Sequence, residues 1–418
     1  MTSATRARVG YVALAALVSL CVVMAAAGPE VVPASGRGGD PGWLGGLYGD
    51  GFGLEGHSYI HLERAALLAY AVLIACASAL PRRLLGWSIV ALVGLFALAP
   101  PLLSLDLFSY ISYARLDGLH DLNPYEFPPS SAPGDESLAF IEDWRDKVSV
   151  YGPLFTIAST PLAHLGVAGA VWVLKIVTGI AVLAIAWVVA RLAALRGVNP
   201  GVAAALVALN PLVLVHVVGG AHNDALMAML MTAAVAGIFA ERQLLGGVGL
   251  VAAAAVKATA LLVAPFALIG GGRRRRLAAG LGLGALLMVG IGLAAFGSSV
   301  DEAAKVVGQN QDIATRASVP GTISRELGID IDAVRAVSLA LFALGLGGLL
   351  AWTARGADWV RATGWGSLGL LLATSYLTPW YVIWTLPFVA VARDRALIVC
   401  SLLLSAFLLR YQVPGLGG

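Results

Sequence analysis

Apolar runs near the length of a bilayer-spanning helix, about 20 residues, alternate with short loops that carry arginine on every second turn of the chain. Placing the arginines inside gives a threading. Arg6 and Arg8 precede a first run at 9–27, whose Ala25-Ala26-Ala27 end resembles a signal-peptidase site. The run is long for a signal segment, so it reads as a retained helix with a cytoplasmic N-terminus. A Gly- and Pro-rich first outer loop follows at 28–60, with Arg37 its one basic residue. The run at 62–80 returns to Arg82 and Arg83, and 87–103 delivers Ser104 and Asp106 to the outer face.

The segment 154–165 is short and broken by Pro161, which reads as half-inserted, and 167–190 crosses to Arg191 and Arg196. The run 202–218 goes out to GGAHNDA at 219–225, and 226–240 comes back to Glu241 and Arg242. Between Arg242 and the cluster Arg273 to Arg276 both ends are basic. A two-helix hairpin that does not fully cross fits them, with Lys257 near its turn on the inner side, stitching helices. Beyond it, 277–296 goes out to a late outer loop at 297–332, 333–352 comes in, and 362–376 goes out to Thr378-Pro379-Trp380-Tyr381. The runs 382–391 and 396–409 flank Arg393 and Arg395. The expected fold is an all-α polytopic membrane protein, one integral-membrane domain over 1–418, with about 13 transmembrane or re-entrant helices and ordered extracytoplasmic loops.

Composition agrees: 59% of the 418 residues are hydrophobic and 12% charged, with mean hydropathy +0.85, against about 25% charged in a soluble domain. The net charge of +3 falls on loops that read as cytoplasmic, which points to anionic lipid and away from nucleic acid. Cys21, Cys76 and Cys400 lie in apolar runs without pairing or ligand spacing and read as packing residues.

Polar chemistry gathers in the outer segments. In the loop 104–153, Asp106, Ser109 and Tyr113 fall on one helical face, leaving Leu105, Phe108 and Ile111 to lie in lipid. Asp106 is either a helix N-cap or a functional acid or base, and a carboxylate at a membrane edge is costly without a task. The Pro- and aromatic-rich remainder of that loop reads as ordered, with Arg145 and Lys147 either site cations or solvated charges. His222, Asn223 and Asp224 stand at a junction of helices, where they either cap the second helix or hydrogen-bond a sugar-like ligand. His222 with Asp224 is only a partial metal set, and His57 and His61 read as interface histidines. Lys175, about two turns inside its span, must snorkel, pair with an acid or meet an anion. Lys305, Arg316 and Arg325 stand outside against the charge bias, which suits a lipid phosphate, although Arg325 adjoins Glu326. Trp380 and Tyr381 suit stacking on sugar or prenyl chain as well as an aromatic belt.

The stretches SLDLFSYISYARLDGLHDLNPY, WRDKVSVYGPLF, GGAHNDALM, KATALL and PWYVIWTLP, in this order between Leu102 and Pro387, resemble the actinobacterial polyprenol-phosphomannose-dependent α-1,6-mannosyltransferases of lipomannan assembly, of the GT-C class. The resemblance implies a GT-C-type bundle in the plasma membrane, with its site on the extracytoplasmic face. It implies a polyprenyl-phosphate mannose donor and a glycolipid or glycan acceptor. Asp106 matches the family's general base, and one displacement turns a β-linked donor into an α product. The leaving phosphate gains charge and needs cations, for which Arg115, Lys147, Lys175, Lys305 and Arg316 are the pool. Tyr110, Tyr113, Tyr151, His222, Asn223, Asp224, Trp380 and Tyr381 are the expected substrate contacts, with no metal or cofactor required. A secondary transporter is the alternative class. It would place ionisable groups near the midplane on broken helices and repeat its halves, and the sequence displays neither.

Overall fold

The computed structural model describes residues 2–26, 56–141, 144–299 and 314–410. Among them are 16 α-helices and no strand. The protein is an all-α polytopic membrane protein. By length and composition 5 helices in the described residues suffice to cross a membrane, or 6 when one bent pair counts as a span. The remaining apolar runs form shorter helices that fill the bundle.

The chain begins with α1 (Ser3–Ala25), α2 (Gly56–Cys76) and α3 (Arg82–Leu98). Pro100 and Pro101 follow, and the chain stays irregular until α4 (Asp106–His120). Instead of lying on a lipid surface, α4 is packed inside the protein. Phe108 and Ile111 are both fully buried, and Phe108 stacks on Phe140 at 5.2 Å. The cover comes from Phe140 later in the loop and from the segment beyond it, where the 3-10 turn at Thr160–Leu165 packs along α4, and the loop is itself held together. Ser149 N–H donates to Pro124 O at 2.7 Å, Ser130 N–H to Arg145 O at 2.9 Å, and Tyr125 Oη–H to Tyr151 O at 2.7 Å. Next come α5 (Pro153–Ser159) and, after a 3-10 turn, the 30-residue α6 (Gly166–Leu195).

The run expected to cross once at 202–218 is broken. Pro211 supplies no N–H and disfavours helix at the residue before it. The chain therefore ends α7 (Pro200–Ala208), turns on Asn210, whose Oδ1 accepts from Leu212 N–H at 2.9 Å, and resumes as a π-helix (Val213–Gly219) bent by 61°. Then α8 (Asp224–Phe239) leads to a hairpin of α9 (Gln243–Ala254) and α10 (Val263–Gly270). The hairpin expected from the charge pattern is present, but Lys257 at its turn meets Asp224, at the end of α8 opposite Glu241 and Arg242. It therefore runs the full length of α8, about 24 Å at 1.5 Å per residue, and Lys257 is not at the basic end. Glycine lets α9 come this close. A Cβ on Gly246 would lie 2.5 Å from Ile238 of α8, and one on Gly247 2.6 Å from the backbone of Leu277 and Leu281.

The chain closes with α11 (Arg274–Phe296), α12 (Val319–Leu327), α13 (Ile331–Ala354), α14 (Trp359–Ala373), a 3-10 turn (Pro379–Trp384), α15 (Leu386–Val391) and α16 (Arg395–Leu408). Two ends of the bundle are chemically distinct. At one, Arg196 pairs with Asp358 and donates to Val391 O, Arg361 pairs with Asp394 at 2.7 Å, and Arg273 with Glu241 at 3.3 Å. At the other, Asp106, the 219–224 junction, Lys257 and the 379–384 turn converge. Thr315 fastens the late loop there, donating from N–H to Ser375 O at 2.9 Å and from Oγ1 to Leu377 O at 2.8 Å.

Candidate active site

Asp106 is the first residue of α4, and Leu105, not Asp106, holds the capping position. No side chain caps this helix, and the Asp106 N–H donates to Ser104 Oγ at 3.2 Å. The capping explanation for the carboxylate therefore fails. Its side chain is 21% exposed, with Oδ2 3.5 Å from Nδ1 of the buried His222. Burial pushes the Asp106 carboxyl up to about 6, against the nearby Lys257 ammonium and with help from the Asp224 carboxylate.

The 219–224 junction is compact because Gly220 has no side chain: a Cβ there would lie 2.5 Å from His216 O and 2.9 Å from the His222 ring. Ala221 then takes the left-handed conformation, φ 54°, uncommon for a residue with a Cβ and a mark of local constraint. The His222 ring stacks on Trp380 with centroids 3.7 Å apart. Asn223 precedes α8 without capping it through its side chain, so capping fails for this group as well. Asp224 Oδ1 accepts from Lys257 Nζ at 2.8 Å and Trp384 Nε1 at 2.6 Å. Lys257 lies 4.4 Å from the Tyr381 ring centre and 5.1 Å from that of Trp384, two rings that stack on each other at 3.9 Å.

Among the described residues, the buried Ser109 Oγ, both His222 ring nitrogens, both Asn223 amide atoms, Asp224 Oδ2 and Thr378 Oγ1 have no hydrogen-bond partner. Buried polar atoms are nearly always satisfied, so this cluster is suited to hydroxyl groups of a bound molecule. Tyr110 closes one side, its Oη accepting from Asn223 N–H at 3.5 Å and its ring meeting Tyr151 and Phe155 edge-on at 4.8 and 5.0 Å. Tyr113 flanks Tyr151 at 6.0 Å and donates to Lys147 O at 2.8 Å. Among the described residues no group of three His, Cys, Asp or Glu gathers to hold a metal.

Of the residues expected from sequence, Asp106, Tyr110, Tyr113, Tyr151, His222, Asn223, Asp224, Trp380 and Tyr381 thus form one neighbourhood. The cation pool does not. Arg115 is bound to Asp135 and Glu136, each at 2.9 Å. Burial works against the Asp135 carboxylate, but hydrogen bonds from Arg115, Ser137 and His120 outweigh it and hold that carboxyl well below its usual range. Lys147 lies over the Trp144 ring at 4.8 Å, and Arg316 is exposed. Lys175 neither snorkels nor meets an acid: fully buried, it donates to the carbonyls of Gly219, Pro100 and Val218 at 2.8, 3.4 and 3.5 Å. Lys305 falls outside the described residues, as does the side chain of His57, while His61 is exposed. The cation that does stand beside these residues is Lys257, through its contact with Asp224. Its signal was the lone lysine within KATALL, assigned to the wrong end because both flanking loops are basic.

A carboxylate, an imidazole, an ion pair and stacked aromatics thus gather at one end of the bundle of a many-helix membrane protein. The family model described as alpha-(1->6)-mannopyranosyltransferase, N-terminal domain, matches residues 12–270, and the chain belongs to this family. Alpha-(1->6)-mannopyranosyltransferase A of Corynebacterium glutamicum is 30% identical over 185 residues, 43% of this chain and 37% of that protein. The Mycobacterium tuberculosis protein of the same name is 34% identical over 180 residues, 40% and 33% respectively. A second M. tuberculosis alpha-(1->6)-mannopyranosyltransferase, Rv1459c, is 36% identical over 140 residues, 32% of this chain and 24% of that one. The chain thus matches between about a quarter and two fifths of these relatives' length. No solved structure matches.

Lys257 owes its place to a backbone contact. Gly152 N–H donates to Val256 O at 3.2 Å and Leu154 N–H to Ala255 O at 3.0 Å, and a Cβ on Gly152 would lie 2.1 Å from Ala255 O. Gly152→Ala must push the hairpin turn away from the loop, at a cost of about 1–3 kcal/mol. The detergent-solubilised variant is expected to melt below the parent, and an unchanged melting temperature would contradict this packing.

Proposed function

We propose that the protein transfers mannose from a polyprenyl-phosphate mannose to a glycolipid or glycan acceptor, with inversion, on the extracytoplasmic face of the plasma membrane. The observation that carries the reading is the uncapped Asp106 carboxylate, 3.5 Å from His222, in a cluster of buried polar atoms without partners. Support for the sugar comes from the family. Support for the face comes from the arginine pairs gathered at the other end of the bundle, the end that the positive-inside rule assigns to the cytoplasm.

Asp106 accepts the proton of an acceptor hydroxyl as that oxygen bonds to the anomeric carbon. The bond from that carbon to the phosphate oxygen breaks on the opposite face, its electron pair leaves with the lipid phosphate, and a β-linked sugar becomes α-linked. His222, held flat by Trp380, hydrogen-bonds Asp106 once substrate closes the gap, since such contacts are commonly long before binding. The unpartnered Asn223 and Asp224 atoms take sugar hydroxyls. Tyr381 and Trp384 form an apolar wall, and Tyr110, Tyr113 and Tyr151 close the opposite side.

The departing phosphate goes from about one negative charge toward two. Lys257 receives it, since its side chain is 23% exposed beside the site while Arg115 and Lys175 are committed elsewhere. Asp224 holds the ammonium in place until the donor arrives.

Membranes containing the protein should move radiolabel from polyprenyl-phosphate mannose into a glycolipid on thin-layer plates, and membranes without it should not; equal labelling would refute the proposal. Because the base must be ionised, the rate should fall as pH drops through about 6, the value to which burial raises Asp106, rather than through the usual carboxylate range. A profile flat down to pH about 4.5, just above an ordinary carboxylate, would remove Asp106 from that role. Lys257→Met should raise the donor KM about tenfold or more, since a hydrogen bond to a charged group is worth about 1.5–3 kcal/mol, and Lys257→Arg should recover part of it. An unchanged donor KM in the Met variant would return Lys257 to a structural role.

A further inference from the structure

Glu63 of α2 is fully buried, and its Oε1 lies 2.8 Å from Nε2 of the equally buried His216 in the π-helix. Neither residue takes part in the chemistry proposed above. Ionisable side chains inside a membrane protein are costly and need a partner and a reason. Around the pair, Tyr59 of α2 donates to Met24 O at 3.3 Å, Cys21 of α1 is buried, Tyr70 of α2 donates to Leu206 O, and Lys175 of α6 grips the far end of the π-helix.

The reason lies in what the π-helix carries. Its wide i→i+5 turns are rare, found mostly as single turns and frequently at functional sites. The Val217 carbonyl accepts the N–H of His222 at 3.0 Å, five residues on, and the His216 carbonyl accepts from Gly220 at 3.2 Å. Gly219 O accepts from Leu102 N–H at 3.1 Å as well as from Lys175, and Leu102 opens the short segment that ends at Asp106. One irregular helix thus sets both His222 and the path to Asp106. A Pro break precedes it and a left-handed residue follows it, so neighbouring helices must hold it.

We propose that Glu63 and His216 are positioning residues: their buried contact locks the π-helix to α2 and so fixes the spacing of His222 and Asp106. The assignment rests on the transfer reading for its kinetic arm, and an exchange arm reads it without activity. In the full-length protein, Glu63→Ala should speed hydrogen–deuterium exchange in peptides covering residues 213–223 and leave exchange in α11 and α13 at the parent rate. Glu63→Gln, which keeps the side-chain length and a polar oxygen beside His216 Nε2, should restore slow exchange. Where the parent transfers mannose, Glu63→Ala should lower kcat about 100-fold, as a displacement of about 1 Å does, with donor KM within about twofold and kcat recovered in Glu63→Gln. Unchanged exchange over 213–223, or acceleration spread evenly through the protein, would overturn the assignment, as would a parental kcat in Glu63→Ala. Absence of transfer in the parent itself would refute the function and leave the exchange result to decide the clamp.

Discussion

The ion pair between Asp224 and Lys257, 2.8 Å long and largely shut off from solvent, is the contact on which the arrangement of this site depends. It joins the head of α8 to the turn of the α9–α10 hairpin, and Trp384 adds a third element by donating to the same carboxylate oxygen. Each group is costly to bury alone. Removing one partner of a buried pair commonly costs about 3–5 kcal/mol. The pair also gives the hairpin its depth, because the ammonium must reach the opposite end of α8 from the basic loops. Once there, it sets the Tyr381–Trp384 wall over which it lies.

Around this pair the polar groups divide by whether the protein itself uses them. Arg115 and Asp135 complete each other, and Lys175 ends in backbone carbonyls. The 219–224 junction is different, since His222, Asn223 and one oxygen of Asp224 are buried with their hydrogen-bonding capacity open. In the proposed reading, the sugar that membership of the alpha-(1->6)-mannopyranosyltransferase family suggests is a molecule rich in hydroxyls that fills that capacity. The same reading also supplies a leaving group whose growing charge suits Lys257.

Much of the helix pattern was legible because apolar length and arginine placement are direct consequences of the bilayer. The hairpin at 243–270 was recognisable by its basic flanks, and Asp106, His222, Asn223 and Asp224 by their cost at a helix junction. What sequence could not supply is where a polar side chain ends when several helices compete for it. Lys175 was a plausible phosphate ligand until three carbonyls claimed it, and Lys257 looked internal until Asp224 did. Reading 202–218 as one span passes over the break at Asn210–Pro211, and the π-helix beyond it depends on contacts with α2 and α6. Phe108 and Ile111, which by periodicity faced lipid, are buried, Phe108 against Phe140 from later in the same loop.

The central claim is that the Asp106 carboxylate takes a proton and does not merely shape the start of α4. Asp106→Asn separates the two, because the amide keeps the shape and most of the hydrogen bonding but cannot accept the proton. Steady-state transfer of radiolabelled mannose by the purified variant, alongside its melting temperature and its retention of donor, is the decisive measurement. The account requires parental stability and donor binding with turnover lowered about 100- to 10,000-fold. Turnover above about a tenth of the parent's, less than the loss of a general base produces, would contradict it.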